Sequence, residues 1–111
     1  MAFKGDLEAL ILGTLQRESL HGYEIAKRIK EAAPEIFSVG EGRLYPALHR
    51  LERDGFVTAT WIPNEGKPAR KVYSLTDTGQ GELSEKREKW EEFARGVAQL
   101  LTSPKPEASH G

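Results

Sequence analysis

The sequence predicts a mainly α-helical protein that carries a small β-hairpin. Three observations predict it. Apolar residues recur at three- and four-residue spacing in three stretches before Asp54. Two short runs rich in β-branched and aromatic residues, 56–62 and 70–75, then flank a loop bearing Pro63, Gly66 and Pro68. Finally, Leu83, Trp90 and Val97 lie seven residues apart, with Phe93 and Leu100 filling the intermediate positions. An amphipathic helix with an arginine-rich outer side, followed by a basic hairpin, is the layout of a winged helix-turn-helix. The expected organisation is a winged helix-turn-helix over residues 1–76, a long C-terminal dimerisation helix over 77–102 and a flexible tail over 103–111.

Each element has a local reason. Asp6 can cap a first helix whose stripe is Leu7, Leu10, Ile11 and Leu15. Ile11 and Leu12 make that helix apolar on more than one side, which suits burial against both its own domain and a partner. After a polar break at 17–20, His21-Gly22-Tyr23 opens a second helix with Ile25, Ala26 and Ile29 inward, stopped by Pro34. Ile36 and Phe37 read as core plugs in a turn. A third helix begins near Glu41 with Gly40 as N-cap and buries Leu44, Ala47, Leu48 and Leu51. Arg43, Pro46, Arg50 and Arg53 share its other side, flanked by Tyr45 and His49. Pro46 should loosen the first turn, because its nitrogen cannot donate. Gly55 ends the helix as a left-handed cap. The loop of the hairpin is expected over 63–69, and Thr76 is expected to cap the last helix.

Composition narrows the function. The 111 residues hold 30% charged and 38% hydrophobic residues, as a soluble single domain does. They contain no apolar run of the roughly 18–20 residues that a membrane span needs. The start, with Asp6 and Glu8 among its apolar positions, does not read as a signal peptide. Cysteine is absent, which excludes a disulfide framework and fits a cytoplasmic location. His21, His49 and His110 lack ligand spacing, so neither a metal nor a cofactor is expected. No nucleophile–base grouping or phosphate-cradling glycine loop with a lysine indicates an enzyme. Net charge is −1, but it is unevenly spread. Residues 43–71 hold six basic against three acidic groups, and residues 77–111 hold five against seven. The basic excess lies on the third helix and the hairpin.

The segments HGYEI, GRLYPALHRLERDGFV and ARKVYSLTDTG, followed by Trp90, resemble the PadR family of bacterial transcriptional regulators, in its short form with one C-terminal helix. The resemblance runs from about Leu7 to Leu101. It implies a homodimer joined through the first and last helices, with Leu7, Leu10, Ile11, Leu83, Trp90, Phe93, Val97 and Leu100 as dimerisation residues. It implies double-stranded DNA as partner, with the third helix in the major groove. Arg43, Tyr45, Pro46, His49 and Arg50 then face the groove, Tyr23 and Tyr45 meet phosphates, and Lys67, Arg70 and Lys71 belong to the wing. In related multidrug-responsive members a tryptophan placed like Trp90 stacks against flat aromatic ligands. Trp90 therefore has two readings, dimer packing or contact with a small aromatic effector. The arginines also have two, base and phosphate contacts or a solvated helix face paired with Glu52 or Asp54. The expected function is a sequence-specific repressor on a palindromic operator, with or without effector release. The alternative is a winged-helix protein-interaction module without DNA binding.

Overall fold

The computed structural model describes residues 6–35, 41–102 and 104. Helix α1 (Asp6–Thr14) is the centre of the core. It packs against helix α2 (Gly22–Ala32), helix α3 (Leu44–Arg53) and the long helix α4 (Asp77–Thr102). Ile11 and Leu12 on α1 are fully buried, together with Ile25, Leu44, Leu48 and Val57 from neighbouring elements. Burying such a side chain stabilises by about 1.5–3 kcal/mol, so this cluster is where the fold is decided. The apolar second side of α1 is satisfied within the chain. Ile11 therefore has no area to offer a partner, contrary to its expected dimerisation role. The same correction applies to Leu83, whose 5% exposure places it in this core. A seven-residue seam does not reveal where a helix leaves its own domain, and α4 leaves after Leu83. Leu7 and Leu10 are partly buried against the same cluster.

Helix α2 begins as expected. His21 is its N-cap, and its Nδ1 accepts a hydrogen bond from the Glu24 amide at 3.3 Å. At the other end the Ala33 amide donates to Ile29 O. Helix α3 is preceded by a 3-10 turn, Glu41–Arg43, so the regular helix starts three residues later than expected. Pro46 explains the switch, because its nitrogen cannot join the longer α-type ladder. The expected cap at Gly40 and the plugs Ile36 and Phe37 lie outside the described residues. The end of α3 is a Schellman motif. Gly55 sits at φ +81°, its amide donates to Glu52 O, and the Phe56 amide donates to Leu51 O.

The sheet differs from the expected hairpin in two ways. Strand β2 (Val57–Asn64) and strand β3 (Lys67–Leu75) are longer, joined only by Glu65-Gly66, with Gly66 at φ +66°. Prolines suggested a loop, yet Pro63 sits at an irregularity of pairing on an edge strand. Pro68 lies where β3 has no second neighbour, since the further strand pairs only with Tyr73 and Val72. That further strand, β1 (Leu20–His21), joins the last residue of the expected break to the expected helix start. It makes a three-stranded antiparallel sheet of order β1-β3-β2. Two residues are too few to show a periodicity.

Thr76 joins the hairpin to α4. Its hydroxyl accepts from the Gly79 amide at 2.9 Å, and lies 2.7 Å from Gly55 O and 3.1 Å from Phe56 O, to which it can donate. Gly79 is required here, since a Cβ would lie 1.9 Å from Phe56 O. Arg87 donates to Gln16 Oε1 at 2.6 Å, just beyond the C-terminus of α1. Beyond it α4 runs on with Trp90, Val97, Leu100 and Leu101 exposed and Phe93 half-buried. Pro104 is the one described residue of the expected tail.

Candidate nucleic-acid interface

Helix α3 buries Leu44, Ala47, Leu48 and Leu51 and turns its other side to solvent. At about 100° per residue, Pro46, His49 and Arg53 centre on the outward side. Arg43 and Arg50 fall on the flank toward α1, and Tyr45 and Glu52 on the flank toward α2 and the wing. The contacts agree. Arg50 Nε donates to Glu8 Oε2 on α1 at 3.1 Å, and Lys71 Nζ on β3 donates to Glu52 Oε1 at 3.2 Å. The Tyr45 ring covers Gly22 at the start of α2, where a Cβ would lie 2.8 Å from Cε1. Two of the sequence segments, the GY of α2 and the LYP of α3, thus form a single contact. Tyr23 is 70% exposed beside it, its ring edge-on to His21 at 6.1 Å.

The register of the hairpin separates Arg70 from Lys71. Directly paired residues share a face, so Lys71 lies with Trp61 and Arg70 with Ile62. Lys71 is on the core side, where it reaches Glu52 and stands 5.3 Å from the Tyr73 ring centroid. The hydrogen bond to Glu52 raises its pKa from the ordinary lysine value. Arg70 is on the far side, lining a shallow polar groove with Glu18, Glu24 and Arg28. Lys67 stands beside the turn. Tyr73 is core, and Trp61 and Ile62 are exposed on opposite faces of the edge strand.

The candidate residues lie on α2, α3 and both faces of the wing, and they are not electrostatically alike. Arg50, Arg53 and Lys71 are each held by a carboxylate, from Glu8, Asp54 and Glu52. Among the described residues Arg43, Lys67 and Arg70 have no ion-pair partner. Sequence reading offered Asp54 as a partner for the arginines but missed Glu8 for Arg50 and Glu52 for Lys71. Spacing along a helix does not show which side of it a distant acid will meet. The exposed Trp61 was also missed, because its strand gave no sign of running past the core. Among the described residues no group of three or more His, Asp or Glu side chains could hold a metal ion, and no helix is long and apolar enough to cross a membrane.

A helical core, an exposed third helix and a flanking hairpin define a winged helix-turn-helix protein with a long C-terminal helix. The profile described as the transcriptional regulator PadR-like family matches residues 11–85, and the chain belongs to that family. It is similar to the negative transcriptional regulator PadR of Bacillus subtilis, at 36% identity over 77 residues, covering 69% of this chain and 42% of that protein. The chain thus spans under half the length of that relative. Among solved structures it is similar to a PadR-like transcriptional regulator from Bacillus cereus, with TM-score 0.77 and 31% identity over 91% of this chain and 96% of that one. It is also similar to Bacillus subtilis PadR in complex with operator DNA, with TM-score 0.65 and 29% identity over 92% of this chain and 50% of that one.

Proposed function

We propose that this chain is a cytoplasmic DNA-binding repressor that acts as a homodimer on a palindromic operator and has no catalytic role. The observation that carries this is the exposed side of α3, where Pro46, His49 and Arg53 stand outward between Tyr45 and the Arg43/Arg50 flank. In this reading α3 enters the major groove, Tyr23 and Tyr45 contact phosphates, and Lys67 extends the contact along the wing. Two copies place their α3 helices about 34 Å apart, one duplex turn. The exposed stripe of Trp90, Val97 and Leu100, with the half-buried Phe93 between, is the surface for the second copy. Leu7 and Leu10, partly buried against the core, are the contribution of α1 to that surface in this reading. Support for the DNA reading comes from the relative whose structure holds operator DNA.

Trp90 also supplies a route for regulation. Its ring lies 6.0 Å from that of Phe93, tilted by 38°, so two rings stand together on the stripe. A small flat aromatic molecule held there would compete with dimer packing and change the separation of the reading helices.

The test is titration of a labelled duplex from upstream of the protein's own gene, by fluorescence anisotropy at two salt concentrations, beside a scrambled duplex. Sequence-preferring binding is expected. With about six phosphate contacts it weakens on the order of 10³-fold between about 50 and about 200 mM salt. Equal weak binding to both duplexes, repeated with fragments selected from the genome, would favour a protein-interaction module instead.

A further inference from the structure

Arg50 differs from the other paired cations of this surface in where its carboxylate comes from. Arg53 and Lys71 are held by Asp54 and Glu52, within α3 and its cap. Arg50 is held by Glu8, 42 residues earlier and on a different helix. The Glu8 side chain is 26% exposed, and the next turn of α1 is locked by the fully buried Ile11 and Leu12. The carboxylate is a fixed point for the guanidinium. It engages Nε, at 3.1 Å. The two terminal nitrogens then form a planar fork suited to guanine O6 and N7 or to a pair of phosphate oxygens. An unrestrained arginine loses rotamer freedom when it makes such a contact. An arginine gripped at Nε has lost much of that freedom beforehand.

We propose that Glu8 is a positioning residue for DNA recognition, gripping Nε of Arg50 so that the terminal fork of that guanidinium is presented to the duplex. The inference rests on the DNA-binding reading above. A carboxylate at this place also repels phosphate, and the two effects have opposite signs. Substitution separates them. Glutamine keeps an acceptor oxygen for Nε and removes the charge, whereas alanine removes both.

The experiment is a titration of the selected operator duplex with the wild type, Glu8→Gln, Glu8→Ala, Arg50→Ala and the Glu8→Ala/Arg50→Ala double variant. Glu8→Gln is expected to bind at least as tightly as the wild type. Glu8→Ala is expected to bind about three- to tenfold more weakly, the effect of losing one solvent-exposed hydrogen bond. In the Arg50→Ala background the Glu8→Ala change should weaken binding by less than about twofold, since its partner is already gone. A defect in folding would follow Glu8→Ala into that background, so the cycle distinguishes positioning from loss of structure. Tighter binding by both Glu8 variants would overturn the inference, leaving only charge repulsion. An equal loss with and without Arg50 would overturn it too. A wild type that prefers no duplex sinks the DNA-binding reading and this inference together, whereas either pattern above with a binding wild type sinks this inference alone.

Discussion

The ring of Tyr45 lies so close over Gly22 that a Cβ at residue 22 would stand 2.8 Å from Cε1 and 3.2 Å from the hydroxyl oxygen. The ring belongs to α3 and the glycine to the start of α2, so the pair fixes where the tyrosine hydroxyl is held at the candidate interface. Tyr45 is half exposed and can swing outward, so a methyl group there displaces the ring without breaking the core. Gly22→Ala should therefore change stability by less than about 1 kcal/mol. It should weaken operator binding roughly tenfold, close to the effect of Tyr45→Phe if the hydroxyl is the contact. Urea unfolding and anisotropy measured on the same samples check both parts.

Gly79 is expected to behave in the opposite way. Its added Cβ would meet Phe56 O at 1.9 Å and Leu75 Cδ1 at 2.8 Å, and a backbone carbonyl cannot rotate aside. Gly79→Ala should destabilise by about 3 kcal/mol or more, because the start of α4 must leave the base of the wing. A urea midpoint equal to that of the wild type would show that the two segments separate at little cost.

The stripe on α4 makes a prediction about assembly. Leu100 is 83% exposed and distant from the core around α1. Leu100→Glu should leave the unfolding of the winged unit unchanged. It should weaken self-association by about 30-fold or more, from the lost burial of one leucine, roughly 2 kcal/mol, and the added charge. Sedimentation equilibrium reads the association directly.

Lys71 and Glu52 tie the wing to α3 at 3.2 Å. Both groups are partly exposed, so Lys71→Met should cost under about 1 kcal/mol at neutral pH. The folded pKa of Lys71 is raised above the ordinary 10.5. A raised lysine pKa contributes stability that is complete below the unfolded value and is lost as pH rises through the folded value. The difference between wild type and Lys71→Met should thus be constant from neutral pH to about 10, then shrink above it. Urea midpoints across that range test the sign.

Much of this fold was legible in the sequence because its signals are local. Thr76 as N-cap and His21 as helix start each accept from an amide three residues on, and Gly55 as cap donates to a carbonyl three residues back, so residue order alone shows them. The burial of Leu44, Ala47, Leu48 and Leu51 follows from helical periodicity. What was not legible is long-range. The pairing of Leu20 with Tyr73 makes a strand from two residues. The assignment of Ile11 and Leu83 to the core depends on where α4 crosses α1. The neutralisation of Arg50 depends on which carboxylate α1 turns toward α3. The wing was misjudged for a different reason, since Pro63 and Pro68 are loop residues by habit and occupy here the two places in a hairpin where a missing amide does least harm.

The hydroxyl of Thr76 lies against the carbonyls of Gly55 and Phe56, just past the end of α3, and caps the start of α4. A tilt of one helix would then be passed to the other, as in a crank. The arm, 26 residues long, reaches about 39 Å. A tilt of about 10° at its root sweeps the far end through roughly 7 Å, some two base-pair steps of about 3.4 Å. Run in reverse, if a second copy grips the far end as proposed, a modest slip there would turn α3 out of step with the groove it is proposed to read. On the proposed homodimer reading, small displacements at a remote seam would become a mismatch of register on the duplex.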